Sequence, residues 1–204
     1  MNRRDFLRTG STGLALAAVA TAPARAEQAP LSPTQWTDQH GLTGHLVKDT
    51  APLEGEFDKF PRCPYCGMMR KSFSPTRQLI VYEDDMVDGT CSIHCSAISL
   101  ALNMDRGPKT IYAGDAGADD EIKPLVDVAD AVFVIDPSKP GTMSGVFKAA
   151  FADKAKAEAA LTPGARLASF DETLTETYLE MAKDTAMIRK RRAERRAKEA
   201  AASN

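Results

Sequence analysis

The sequence of 204 residues lacks every motif that announces a nucleotide enzyme or a common hydrolase. There is no P-loop, no glycine-rich dinucleotide fingerprint, no zinc-hydrolase H-E-x-x-H helix and no nucleophile elbow, which removes those reaction classes from consideration. Long apolar runs are missing as well. The stretch from Leu14 to Ala20 falls far short of the roughly 18 residues a membrane span needs, so no stable span is expected. No cysteine stands where a lipobox would put one, since the first is Cys63. Basic residues are scarce through the body: residues 27–188 hold 15 Lys and Arg against 25 Asp and Glu. That balance argues against nucleic acid as a partner.

What is present begins with an export address. Arg3 and Arg4 form a twin arginine, an apolar stretch follows, and Ala24-Arg25-Ala26 is a small-x-small ending. This pattern predicts a Tat-type signal over residues 1–26 and a mature chain of 178 residues in a bacterial periplasm. Positive charge collects at the far end instead. "RKRRAERRAK", Arg189 to Lys198, holds seven basic residues and one acid, which suits a solvated helix end or a docking strip for an acidic partner or anionic lipid.

Residues 27–61, with Pro30, Pro33 and Pro52, predict a linker with short ordered pieces. Over 62–116 the pattern reads strand ("RQLIVYEDD"), strand ("MVDGTCS"), helix from Ser92 to about Asn103, and strand ("KTIYAGD"). Over 128–170 it reads strand ("DAVFVIDP"), strand ("TMSGVFKAAF"), a helix capped by Asp153, and strand ("ARLASF"). The expected fold class is therefore α+β, two ββαβ units followed by a long C-terminal helix over 171–204. Asp171 is the expected cap of that helix, its apolar stripe Leu174, Tyr178, Met181 and Ile188 packs on the body, and the charged extension beyond Ile188 frays.

The chemistry lies in the first unit, where all four cysteines fall. Cys63-x-x-Cys66 precedes the hairpin, and Cys91-x-x-x-Cys95, with His94 between, spans a strand end and a first helical turn. A loop folded back over the hairpin end lets the two pairs converge, which a soft-metal site requires. Zinc would take the four thiols, or three and His94. Met68 and Met69, directly after the first pair, are neutral thioethers that zinc does not use and Cu(I) does. Cu(I) is thus the expected ion with zinc as the alternative, and two disulfides remain open for an exported chain. A thioredoxin-like redox role fits poorly, because Gly67 and a proline-interrupted segment follow Cys66 where a helix would be required.

The motif "CPYCGM" resembles the C-x-x-C-G-M core of the NosL family, the periplasmic copper-binding accessory proteins of nitrous oxide reductase maturation. "VFVIDPSKPGTMSGVFKAAFADKAKAEAAL" looks like that family's second half, and "TCSIHCSAISLALN" is similar to a subgroup that adds a second cysteine pair. The resemblance spans roughly Arg62 to Phe170. It implies two ββαβ units related to the organomercurial lyase fold and metal binding at Cys63, Cys66 and Met68, with the family's second-half methionine falling on Met143. It also implies a metallochaperone without a reaction of its own, and a copper-receiving periplasmic apoprotein, nitrous oxide reductase or another client, as partner. The alternatives are a zinc- or disulfide-stabilised interaction module, and an organomercurial-lyase-like enzyme on fold analogy alone.

Overall fold

The structure, a computed structural model, describes residues 31–202; the expected export signal lies outside them. The order of elements is α1 (Pro33–Gln39), β1 (Val47–Lys48), α2 (Glu56–Lys59), a 3-10 turn (Arg70–Phe73), β2 (Gln78–Tyr82), β3 (Met86–Thr90), α3 (Ile93–Leu102), β4 (Pro108–Gly114), β5 (Leu125–Asp127), β6 (Val132–Asp136), β7 (Phe147–Phe151), α4 (Lys154–Ala159), β8 (Arg166–Ala168) and α5 (Phe170–Ala202).

Two ββαβ units stand out in the pairing. In the first, β2 lies between β3 and β4; in the second, β6 lies between β7 and β8, and every pairing is antiparallel. The same connectivity is thus used twice. β1 and β5 extend the first sheet to five strands, in the order β1-β3-β2-β4-β5. The sheets meet where Asp115 bridges Ala150 and the Ala116 amide donates to the Ala150 carbonyl at 2.8 Å.

The period-two alternation of a strand explains how β2 serves two cores at once. Ile80 and Tyr82 face a core shared with Ile93 of α3, Ile111, Phe133 of the second unit and Phe170 of α5. Leu79 and Val81 face the other way, onto Phe60 and Val87. A one-residue slip would exchange the two sets, so burial on both faces fixes the register that places Cys91 at the end of β3.

Residues 31–61 are more than a linker. Ser32 and Gln35 form a capping box that starts α1, β1 pairs with β3, and Leu46, Glu56 and Phe60 are buried. Glu56 is the centre of a charged cluster. Its Oε2 accepts from Arg70 Nη2 at 2.9 Å and its Oε1 accepts from Arg77 Nε at 3.0 Å, with both guanidinium groups fully or almost fully buried.

The C-terminal helix also differs from expectation. Ser169, not Asp171, supplies the cap: its hydroxyl accepts from the Glu172 amide at 3.2 Å while the Glu172 carboxylate accepts from the Ser169 amide at 2.7 Å. The S-x-x-E pattern satisfies two end amides reciprocally, which a lone aspartate two residues later cannot do. Packing of α5 relies on Thr173, Leu174 and Thr177, and on Tyr178, whose hydroxyl donates to the Ala97 carbonyl of α3 at 2.8 Å. It stops at Asp184; Ile188 is 45% exposed because the body ends before the helix does. The charged remainder continues as helix to Ala202.

Removing the shared anion tests the charged cluster. Glu56→Ala leaves two arginines buried without a counter-charge and is expected to destabilise the fold by about 3–5 kcal/mol. Lys154→Ala, which removes an exposed pairing with Glu158, is expected to change stability by less than about 0.5 kcal/mol. Denaturant unfolding of the two variants measures the difference, and equal small losses would show that the cluster is dispensable.

Candidate metal centre

The turn that carries the first cysteine pair is closed by the backbone. The Cys63 amide donates to the Met68 carbonyl at 2.9 Å, the Gly67 amide donates to the Cys63 carbonyl at 2.8 Å, and Arg62 bridges Met69 as a short antiparallel contact. Gly67 has φ of +76°, the left-handed region that glycine enters without steric penalty. Arg62 Nη1 donates to the Gly67 carbonyl at 2.9 Å from the exposed side.

Two buried side chains hold this turn against the end of β3. Arg70 Nη1 donates to the Phe60 carbonyl at 2.8 Å, and Nε donates to the Thr90 carbonyl at 3.2 Å. One guanidinium therefore grips the residues just before each cysteine pair. Asp88 Oδ2 accepts from the Tyr65 hydroxyl at 2.6 Å and from the Ser99 hydroxyl at 2.5 Å, with His45 Nε2 at 3.3 Å. Burial, together with the Asp88 charge, holds the Tyr65 phenol well above its ordinary range, so it stays a donor.

The outcome is a cluster of sulfur. Cys63, Cys66, Cys91 and Cys95 place their Sγ atoms within 4.8 Å of one another. Cys66 Sγ is 3.4 Å from Cys91 Sγ, which is 3.8 Å from Cys95 Sγ. Four sulfurs about 2.3 Å from a common ion in a tetrahedron are about 3.8 Å apart, so little movement separates this cluster from a coordination shell. All four are free thiols. Hydrogen bonds from the Cys91 and Cys95 thiols hold the Cys63 sulfur far below the usual thiol range, and the same bonds push Cys91 and Cys95 up. A soft cation bound in the cluster would take the place of those protons.

The other expected ligands sit differently. Met68 is half-buried and packs on the cysteine cluster, together with Tyr65 and Phe73. Met69 is 41% exposed. Met143, 39% exposed with φ of +62°, lies in the turn between β6 and β7. That turn reaches the site through its neighbour Thr142, whose Oγ1 is 3.0 Å from Thr76 Oγ1, and Thr76 in turn donates to the Cys91 carbonyl at 2.9 Å. His94 is not in the gathered group. Adjacent helical residues point about 100° apart, so a histidine beside Cys95 cannot share its face. Burial lowers the pKa of the imidazole, and the charges of Asp184 and Glu180 on α5 oppose that.

Sequence reasoning missed Arg70, Asp88 and Glu56. The one visible signal was an arginine directly after "CPYCGMM" in an otherwise acidic body.

The NosL family profile matches residues 54–178, more than half of the chain. Among solved structures, the copper chaperone NosL from Shewanella denitrificans is 25% identical, with a TM-score of 0.46 over 62% of this chain and 96% of that one. Comparison with curated proteins finds no match.

Gly89 tests the coupling between scaffold and cluster. A Cβ there would lie 2.7 Å from Phe60 Cβ and 3.0 Å from Arg70 Cζ. Gly89→Ala is expected to displace Arg70, to destabilise the fold by about 1–3 kcal/mol and to weaken metal binding although every cysteine remains. Unfolding and metal titration of the variant read both effects; full stability with unchanged affinity would contradict the close approach.

Proposed function

The chain belongs to the NosL family, and on that premise we propose that it carries Cu(I) in the periplasm. Cys63, Cys66, Cys91 and Cys95 hold the ion, Met68 flanks them, and Met143 sits on a turn tied to Cys91. The protein passes the ion to a copper-receiving apoprotein and performs no reaction of its own. Nitrous oxide reductase is the client the family resemblance favours, and Tat export brings the chain to it.

The observation that carries this reading is the gathering of four thiols within 4.8 Å, with a thioether packed on them. Thiolates and thioethers are soft donors, and such a set favours Cu(I) over harder ions. Carriage, as opposed to storage, is supported by the edge of the site, where Cys66 and Met68 are half-buried and not sealed in the core.

One observation favours a second reading. Three of the thiols are at most 1% exposed, and a closed four-thiolate set is also the form of a structural zinc site. Anaerobic titration of the reduced full chain with Cu(I) against a competing chelator, with zinc in parallel, separates the two. One Cu(I) per chain, retained against excess zinc, is expected. Cys63→Ser is expected to cost at least about tenfold more Cu(I) affinity than Met68→Leu, since a thiolate brings charge and a thioether does not. Zinc held against Cu(I) would overturn the copper assignment, and equal losses in the two variants would contradict the lead given to the thiolates over the thioether.

A further inference from the structure

The four thiols are not equivalent. Cys63 is 1% exposed and Cys91 and Cys95 are 0% exposed, whereas Cys66 is only half-buried. Their backbones differ in the same sense. Cys91 directly follows β3 and Cys95 lies in the first turn of α3, both buried where strand and helix meet. Cys63 is pinned by the hydrogen bond its amide donates to the Met68 carbonyl and by the Arg62–Met69 bridge. Cys66 sits at the tip of the turn, between Tyr65, anchored on Asp88, and Gly67 with its positive φ. The bond that closes the tip from outside, Arg62 Nη1 to the Gly67 carbonyl, is exposed to solvent. A bond of that kind exchanges with water at little net cost, unlike the buried contacts around the other three cysteines.

From this asymmetry we infer that Cys66 is the gate ligand, the one sulfur that releases the ion to admit an incoming donor, while Cys63, Cys91 and Cys95 form the holding set. The inference rests on the metal-carrier reading above and adds an order to it. A thiolate or thioether of the receiving protein bonds to the ion as the Cys66–ion bond breaks. The Cys66 thiolate swings out on Gly67 and takes a proton from water, and the ion keeps its oxidation state throughout. The partner must therefore present its soft ligand at the turn tip, beside the exposed side chain of Met69.

Two measurements test the gate. Mass mapping of N-ethylmaleimide adducts on the reduced, metal-free chain is expected to find Cys66 modified at least about tenfold faster than the others, because access limits the reaction of buried thiols. Cys63, Cys91 or Cys95 leading, or four equal rates, overturns the inference. The second measurement follows transfer of Cu(I) from the loaded chain to bicinchoninate in Cys66→Ser and Cys91→Ser. A removed gate leaves an open position, so Cys66→Ser is expected to speed transfer by about tenfold more than it lowers affinity. Cys91→Ser is expected to lower affinity and speed release in proportion. Identical behaviour of the two variants overturns the gate. The labelling arm needs no metal, so it decides the order of access even where Cu(I) binding fails.

Discussion

The site depends on a buried guanidinium. Arg70 is 0% exposed and gives its donors to Glu56, Phe60, Gln78 and Thr90, so one planar group is fastened to four separate points of the chain. An arginine so placed is tolerable only because its charge is matched and its donors are used. Glu56 supplies the match and is shared with Arg77, which sits with its guanidinium carbon 4.9 Å from the Phe57 ring centroid. The geometry of the cysteines follows from where those points lie. Phe60 comes just before the first pair and Thr90 immediately before the second. Gripping both carbonyls sets the distance between two segments that are far apart in sequence.

Around that clamp, small and polar residues leave room for sulfur. Thr90 and Ser96 share a 2.7 Å hydrogen bond under the start of α3, and separately Tyr82, Ser99 and Asp88 form a buried polar chain to Tyr65. Each group in that chain has a partner, so the polar layer stiffens the site without leaving an unsatisfied atom among them. The second ββαβ unit adds the Thr142 contact, and the C-terminal helix α5 supports α3 through Tyr178. Rigid backing and a half-buried tip are the combination the proposed carriage of an ion would need: strong enough to retain it, open on one side to yield it.

The two ββαβ units were legible in the sequence because alternation in β2 and β6 and helical spacing in α3 are local properties. Convergence of the cysteines was legible as a possibility, since a strand end and a preceding loop can meet over a hairpin. What escaped was long-range. β1 spans two residues and α2 four, too short to leave a periodic trace, so the proline-bearing segment that contains them looked like a linker. Glu56, Arg70 and Asp88 look in sequence like any surface charge, because burial is decided by distant partners. His94 was drawn into the ligand set by its position between two cysteines, but a helix turns neighbours apart. Ile188 continues an apolar stripe past the point where the body can cover it.

X-ray absorption at the copper edge of the reduced, Cu(I)-loaded chain tests whether the four thiols gathered beside Arg70 hold one soft ion together. The expected first shell is made only of sulfur, three or four atoms at about 2.3 Å. A nitrogen scatterer in that shell, or a two-sulfur shell with two thiols left free to react, would contradict it.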